Sequence, residues 1–501
     1  MVVKAQDGTS LKERLSWFTP VTAFLTFYLS LAALNFGYDV GTFSGVQAMD
    51  PFIRRFGSYD KATQDYVIPG YLASVMNSTP FIGKLIGALA CGIITERWGR
   101  RSAVAVMACV SLVGVTLQTS ATTAAQFTLG RIINFGMTGF CIVVTPIYQA
   151  ECSPPVLRGL ISSTVQFQII LGQLIASLVN LGTEKITSNS SWQIPIGLQF
   201  IVPVCILALL PFMPESPRWL VSKGRYDEAE RFLKTLRPKS ATSEEISLEI
   251  EYLQHSSANQ GKGSWKEVFD KKNRIRTAIA VLVMFCQQIT GQAFISQYGV
   301  VFYKQQNISD PFLLSVIQTV ISVVCSVITL LFVDQVGRRM IILTGGTAMG
   351  FFLLLVGGMG TLKNPGPNAK RTMVASLMMY GASYALSWAT VSYIILGEVA
   401  NSRVKEKTSD LAVSISVLTT FVVSFTLPYL LDAPYADLGP KVGFIYGSIT
   451  IVSSVVAYFM VPEMKGRSLE EVDRLFEARV PLRKFQQAKL EEDLEPEKSG
   501  A

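Results

Sequence analysis

The sequence predicts an all-α membrane protein whose transmembrane helices form two pseudo-symmetric six-helix bundles with a helical insert between them. Half of the 501 residues are hydrophobic and 16% are charged, and the mean hydropathy is +0.37. Most of the chain therefore belongs in a lipid bilayer. Apolar runs long enough to cross it recur along the sequence, and charged motifs repeat between the first and second groups of runs.

Twelve apolar runs account for the predicted helices. They cover residues 21–46, 67–94, 102–121, 124–148, 159–182, 193–213, 275–303, 312–333, 339–361, 372–399, 407–431 and 442–462. The polar stretch between the sixth and seventh runs has helical patterning at 226–236 and 243–253. We therefore divide the chain into an N-terminal segment 1–20, a bundle 21–213, a linker 214–273, a bundle 274–463 and a tail 464–501.

Basic residues between the runs predict the orientation. Arginines and lysines concentrate after runs 2, 4, 8 and 10, and such clusters stay on the cytosolic side. Both termini and the linker are then cytosolic, and we expect the protein in the plasma membrane. Glycosylation sequons at Asn189 and Asn307 fall on the outer side.

The sequence offers little for enzymatic chemistry. Its single histidine, His255, lies in the polar linker, and its seven cysteines show no metal-ligand spacing. We expect no catalytic site, metal or cofactor, and no nucleic-acid partner.

Asp39 is a carboxylate within the first apolar run. An acid at the centre of a membrane helix costs about 2.5 to 3.5 kcal/mol, so such residues normally face a water-filled cavity or a basic partner. This position predicts a functional role. The alternative is an aspartate near the helix end that reaches the headgroups.

An acid-x-x-Gly-Arg-Arg motif follows both run 2 and run 8. A tight glycine turn there carries two guanidiniums, which can pair with acids on neighbouring helix ends and hold one face of a transporter shut. The alternative is that the arginines only anchor the topology. Two further pairs of segments repeat between the halves. Glu151 with Arg158 corresponds to Glu398 with Arg403 and Lys405, and Glu215 after run 6 corresponds to Glu463 after run 12. The complete set of predicted latch residues is Glu96, Arg100, Arg101, Glu151, Arg158, Glu215, Asp334, Arg338, Arg339, Glu398, Arg403, Lys405 and Glu463.

Together these motifs resemble the sugar porter family of the major facilitator superfamily over about residues 20–480. The resemblance is carried by the two Gly-Arg-Arg turns, Gly130-Arg131, the segment 146–159, Pro-Glu-Ser-Pro-Arg-Trp at 214–219, Gln287-Gln288-x2-Gly291 and Pro-Glu-Met-Lys-Gly at 462–466. It implies the major facilitator fold and transport by alternating access. Residues 402–408 and 428–430 are most similar to fungal alpha-glucoside and hexose proton symporters.

The resemblance also implies a proton-coupling pair. The family position on helix 1 that is neutral in many facilitators is here Asp39, and in symporters it pairs with the arginine that corresponds to Arg131. Making and breaking such a pair changes how readily a carboxylate binds a proton. The alternative for Arg131 is a structural partner of another acid or carbonyl group.

A sugar site needs amides for paired hydrogen bonds and an aromatic plate for stacking. By resemblance, Gln166, Gln287 and Gln288 match sugar-contacting glutamines. The predicted set of substrate-binding residues is Gln166, Gln287, Gln288, Gln292, Trp388 and Tyr393. The alternatives are glutamines that join helices and a tryptophan that only packs.

The family pattern is incomplete, because Ala293 replaces an asparagine and helix 10 lacks its prolines. These departures leave the identity of the substrate open. From Asp39 and the resemblance we expect sugar and proton symport, with a hexose or alpha-glucoside as substrate. The alternatives are a facilitator or symporter of a polyol, a quinate-like acid or another metabolite, and a sugar sensor that does not transport.

Overall fold

The computed structural model of this chain describes residues 19–61, 64–153, 158–237, 243–259, 264–308, 310–362, 365–401, 403–467, 469–486 and 488. Within these ranges the chain is helical apart from one small hairpin. Its strands, β1 (Ser58–Asp60) and β2 (Asp65–Val67), are antiparallel and pair Tyr59 with Tyr66.

The first half of the chain begins with the long helix α1. Its helices are α1 Pro20–Val46, α2 Asp50–Phe56, α3 Gly70–Ser78, α4 Pro80–Trp98, α5 Arg100–Thr119, α6 Ala124–Cys152, α7 Arg158–Thr183, α8 Ser190–Gly197 and α9 Ile201–Leu209. Short 3-10 turns at Leu198–Phe200 and Leu210–Phe212 follow α8 and α9. Pro20 occupies the first position of α1, where its missing N–H is not needed, and the Thr19 hydroxyl accepts from the N–H of Thr22 at 3.1 Å.

The segment after the sixth apolar run is helical, as its patterning predicts. It contains α10 Pro217–Ser222, α11 Tyr226–Leu236, α12 Ser243–Asn259 and α13 Trp265–Val268. The predicted helix 226–236 is confirmed, and α12 continues six residues beyond the predicted end at residue 253. The Leu236 carbonyl accepts from the hydroxyls of Thr19 and Thr22, each at 3.3 Å, so the end of α11 docks beside the start of α1.

The second half repeats the pattern of long helices. Its helices are α14 Arg274–Ile289, α15 Gln292–Gln305, α16 Pro311–Val336, α17 Arg338–Met359, α18 Pro367–Leu386, α19 Trp388–Val399, α20 Lys405–Leu431, α21 Val442–Met460 and α22 Leu469–Glu477. Further 3-10 turns lie at Gly439–Lys441 and Leu482–Lys484.

Among the described residues, eleven helical segments are long and apolar enough to cross a membrane. They match eleven of the twelve predicted runs. The tenth run, 372–399, is divided between α18 and α19, because the backbone at Ser387 (φ −125°, ψ −90°) leaves the helical region. The all-α membrane fold is confirmed.

The chain divides into two compact units, Met1–Gly261 with Asp310–Thr319 and Lys262–Ser309 with Val320–Ala501. In the first unit, α1 packs mainly against α7, whereas α4 and α5 pack against α6. In the second unit, α17 packs against α21 and α14 against α20. The finer division of the chain into five segments stays a prediction.

Candidate functional site

Asp39 lies inside the first unit and is 1% exposed. We expected it near the middle of its span, but it lies seven residues before the end of α1. Its Oδ1 accepts a hydrogen bond from Asn134 Nδ2 at 3.0 Å. Among the described residues, its Oδ2 has no hydrogen-bond partner. One carboxylate oxygen is therefore held by Asn134.

Arg131 lies in the same buried cluster, where its positive charge acts on Asp39. Its Nε donates to the Met76 carbonyl at 3.2 Å, and its guanidinium lies 3.6 Å from the centre of the Phe43 ring. Asn134, one turn along α6 from Arg131, donates a hydrogen bond to Asp39. Asp39 and Arg131 thus lie in one buried cluster of the first unit, and their role in proton coupling stays a prediction.

A chain of amides and a hydroxyl surrounds Asp39. Asn134 Nδ2 also donates to Gln199 Oε1 at 3.0 Å, and Asn134 Oδ1 accepts from the Ser111 hydroxyl at 3.0 Å. Asn35, one turn before Asp39 on α1, donates to the same hydroxyl at 3.3 Å. The network joins α1, α5, α6 and the 3-10 turn at Leu198–Phe200. A change in the charge or position of Asp39 therefore affects hydrogen bonds that involve all four elements.

In the second unit, Gln287 sits beside two helix breaks. It is 2% exposed, and its Nε2 donates to the carbonyls of Trp388 and Ala389, each at 3.1 Å. Gln288 Nε2 donates to Gln287 Oε1 at 3.0 Å. The break between α14 and α15 follows at Gly291, whose φ of +91° is in the left-handed region that favours glycine.

The carbonyl freed by this break is capped by two hydroxyls. Tyr380 and Thr450 donate to the Thr290 oxygen at 3.0 and 3.3 Å. Gln292 starts α15 and is half-buried. The glutamines of this region therefore lie where the backbone is irregular, which in membrane proteins is tolerated beside a cavity or inside protein.

The two predicted aromatic residues on α19 differ in exposure. Trp388 is 0% exposed, whereas Tyr393 is 46% exposed. Their role in substrate binding stays a prediction. Gln166 lies on α7 in the first unit and is half-buried.

The glycine turn in the first unit is closed by two acids. Gly99 has φ +93°, and the backbone N–H groups of Arg100 and Arg101 donate to the Glu215 carboxylate at 2.9 and 3.2 Å. The Arg100 guanidinium makes two bonds with Glu151, at 2.8 and 2.7 Å. The carboxylate of Glu215 thereby satisfies N–H groups at the start of α5 that have no partner within the helix.

The second unit repeats this arrangement. Gly337 has φ +103°, and the N–H groups of Arg338 and Arg339 donate to Glu463 at 3.0 and 3.1 Å. The Arg338 guanidinium bonds to both oxygens of Glu398, at 3.2 and 2.8 Å. The repeated motifs thus form repeated contacts, each inside one unit. Their role in gating stays a prediction.

Other predicted latch residues make local contacts. The Glu96 carbonyl accepts from Trp219 Nε1 at 3.2 Å, the Arg101 side chain donates to Leu210 O at 3.2 Å, and that of Arg339 donates to Tyr458 O at 2.8 Å. Arg403 pairs with Glu267 at 3.1 Å at an exposed position, and Lys405 begins α20. The side chains of Arg158 and Asp334 lie outside the described part of the chain. Asn189 and Asn307 are exposed, and their glycosylation stays a prediction.

Sequence reasoning missed three polar residues of the first unit, namely Asn134, Gln199 and Lys84. Asn134 is one turn from Arg131, and Lys84 is a charge inside an apolar run, so both carried a signal in the sequence. Gln199 carried none, because only the fold brings it to Asn134.

Known proteins match the chain along most of its length. The profile of a family described as "Sugar (and other) transporter" matches residues 25–476. The fission yeast Schizosaccharomyces pombe has a high-affinity glucose transporter, ght2, that is 28% identical over 91% of this chain and 87% of its own length. Its high-affinity gluconate transporter ght3 is 28% identical over 91% of this chain and 83% of its own length.

A solved structure matches the fold. That of the major facilitator proton:xylose symporter XylE, bound to 6-bromo-6-deoxy-D-glucose, has a TM-score of 0.72. It covers 91% of this chain and 99% of XylE, at 24% identity. The chain belongs to the sugar (and other) transporter family and has the major facilitator fold.

Proposed function

We propose that this protein carries a sugar or a related polyhydroxylated metabolite across the plasma membrane together with a proton, by alternating access. The observation that supports proton coupling is the environment of Asp39. The carboxyl group is buried in an apolar span, one oxygen accepts from Asn134, and the other has no hydrogen-bond partner among the described residues.

Asp39 suits a proton carrier because two opposing influences act on it. In general, an apolar surrounding favours a neutral carboxyl group and a nearby guanidinium favours a charged one. Asp39 lies in an apolar span, in the same buried cluster as Arg131. A movement that changes either influence transfers the proton. The hydrogen bonds of Asn134 would change with the protonation of Asp39, because its amide contacts Asp39, Gln199 and Ser111.

The substrate class is supported by side chains that match sugar hydroxyls. In the second unit, Gln287 and Gln288 form an amide pair and Tyr393 is 46% exposed. Gln166 of the first unit is a half-buried amide. The named relatives transport glucose and gluconate. Both a neutral hexose and a sugar acid are therefore candidate substrates.

The test is uptake by cells that lack their own sugar porters. Labelled glucose, xylose, maltose, sorbitol and gluconate are supplied while the external pH is recorded. We expect uptake against a gradient of at least one compound, with alkalinisation of the medium. Transport without alkalinisation would identify a facilitator, and uptake of none of these compounds would contradict the proposal.

Asp39→Asn tests the coupling directly. We expect it to abolish accumulation and to leave exchange of labelled substrate across equilibrated membranes, because the variant keeps the shape of the side chain and loses only its ionisation. The matched control is Asp432→Asn, since Asp432 follows α20 outside the membrane spans and accepts from Gln305 at 2.9 Å. Full accumulation by Asp39→Asn would remove Asp39 from the coupling mechanism.

A further inference from the structure

Lys84 is a charged residue at the centre of a membrane span. The span covers Gly70–Trp98, and Lys84 lies fourteen residues from each end. At a rise of 1.5 Å per residue this is roughly 21 Å, which is too far for the side chain to reach the headgroups. Ionisable residues in such positions normally face the protein interior and mark a pathway or a binding site.

The helix directs Lys84 away from lipid. Four apolar residues of α4 form one exposed stripe, namely Ile82, Ile86, Leu89 and Ile93, which are 46 to 67% exposed. Helical residues are spaced by about 100°, so Lys84 lies roughly opposite to this stripe. The adjacent Gly83 packs so tightly on α6 that a side-chain carbon there would lie 1.8 Å from the Ile132 carbonyl oxygen. The close packing fixes this orientation.

The ammonium group of Lys84 faces an aromatic ring and no acid. It lies 4.7 Å from the centre of the Phe36 ring on α1. Among the described residues, no carboxylate forms an ion pair with it. Lys84 is neither fully buried nor fully exposed.

The scaffold does not require this charge. Lys84 precedes Gly99 of the first glycine turn by fifteen residues, and the residue at the same spacing before Gly337 is Ser322. The second half thus forms its corresponding long helix, α16, with a neutral hydroxyl at this position. A role in folding common to both halves does not explain the lysine.

We propose that Lys84 binds a carboxylate of the transported substrate, so that the protein prefers a sugar acid to a neutral sugar. The inference rests on the proposed transport function and deepens it. A carboxylate would give the ammonium group, which has no ion-pair partner among the described residues, a counter-charge, and the Phe36 ring beside it offers a surface for the C–H face of the same molecule. A neutral sugar would leave the ammonium without a counter-charge.

The proposal has an electrical consequence. A proton that enters with a neutral sugar moves one positive charge per cycle. A proton that enters with a singly charged carboxylate moves none, so the membrane potential does not act on that cycle. Charge movement therefore distinguishes the two substrate classes.

The test uses the full chain in cells that lack sugar porters and in proteoliposomes. Unlabelled gluconate, glucuronate, glucose and glucose 6-phosphate compete with labelled glucose and labelled gluconate. We expect gluconate to be taken up with little charge movement and glucose, where transported, with an inward current. Lys84→Met should reduce apparent affinity for gluconate about 10-fold to 100-fold, the range for a hydrogen bond to a charged group, and change that for glucose less than about 2-fold.

Two further variants frame this result. Lys84→Arg keeps the charge and should retain gluconate uptake, whereas Lys223→Met removes an exposed lysine that follows α10 and should behave as the wild type. If unlabelled gluconate does not reduce the uptake of labelled glucose and labelled gluconate is not taken up, the inference is overturned and the proposed function stands. Competition by glucose 6-phosphate without gluconate would overturn the carboxylate assignment, and uptake of no compound would overturn the proposed function. Competition in the wild type needs no variant, so it tests the preference for a sugar acid even where Lys84→Met does not reach the membrane; the assignment to Lys84 is then tested by the gluconate affinity of Lys84→Arg.

Discussion

The two halves of this protein share their turns and differ in their buried chemistry. Each half has a left-handed glycine followed by two arginines, whose backbone N–H groups are capped by a glutamate near the end of the same half. Inside the first half lie Asp39, Arg131 and Lys84, all within membrane spans. In the second half, the hydrogen bonds at the breaks after α14 and α18 come from neutral groups, such as Gln287 and Tyr380.

Contacts that hold the helix ends are present in both halves, whereas Asp39, Arg131 and Lys84 belong to the first half. Twenty residues before Glu151 stands Arg131, and twenty residues before Glu398 stands Met378. We therefore expect matched substitutions in the turns to have similar effects in both halves, and substitutions of interior residues to have effects specific to one half.

The largest expected effect on stability comes from the arginines of the turns. Arg100→Ala leaves Glu151, whose side chain is 10% exposed, without its bidentate partner and should cost about 3 kcal/mol or more of unfolding free energy. Arg338→Ala should cost less, because the side chain of Glu398 is 23% exposed and better hydrated. Thermal unfolding of the purified variants in detergent measures both. A larger loss for Arg338→Ala would contradict the comparison.

Transport assays on the same positions test the latch. Charge reversal, Arg100→Glu or Arg338→Glu, should lower turnover more than the amount of protein at the cell surface if the pairs stabilise one conformation of the cycle. Loss of the protein from the membrane with normal turnover of the remainder would favour the arginines as topology anchors.

Gln287→Ala is expected to act on the second half alone. Buried hydrogen-bonding groups left unpaired cost about 1 to 3 kcal/mol each, which corresponds to a roughly 5-fold to 150-fold loss of apparent substrate affinity. The variant also frees the Trp388 and Ala389 carbonyls. Uptake as a function of substrate concentration measures the change. Unaltered affinity for every transported substrate would exclude Gln287 from the site.

Alanine at the two turn glycines gives a closely matched pair. Both glycines combine a positive φ with an extended ψ, and a residue other than glycine in this region costs about 1 to 3 kcal/mol. A side-chain carbon would also lie 2.4 Å from Glu215 Oε2 at Gly99 and 2.7 Å from Glu463 Oε2 at Gly337. We expect Gly99→Ala and Gly337→Ala to lower the unfolding temperature by similar amounts. Clearly unequal shifts would show that the two turns are not energetically equivalent.

The smallest effect is expected at Gln305, the last residue of α15. Its amide donates to Asp432, whose pKa is raised by burial, and this hydrogen bond opposes the rise. Gln305→Ala should leave transport unchanged and cost no more than about 0.5 kcal/mol. The cost should be present near neutral pH, where the ionised Asp432 loses a donor, and disappear as pH falls and this carboxyl is protonated. Unfolding at neutral and acidic pH measures it.

The sequence predicted those features that depend on composition, spacing and local turn chemistry. The apolar runs, the helix at 226–236 and the repeated Gly-Arg-Arg turns follow from such patterns. The break at Ser387 did not, because Leu386, Ser387 and Trp388 include neither proline nor glycine, and the backbone there is set by tertiary packing. The contact of Asn134 with Gln199 joins residues 65 positions apart and needs the fold itself.

The glutamate caps have a consequence for the order in which the chain matures. Glu215 follows Arg100 by 115 residues, and Glu463 follows Arg338 by 125 residues. During synthesis, the glutamate that caps each turn is therefore made only after the last span of that half. A chain truncated before Glu215 lacks the cap of the first turn, and a chain truncated before Glu463 lacks the cap of the second.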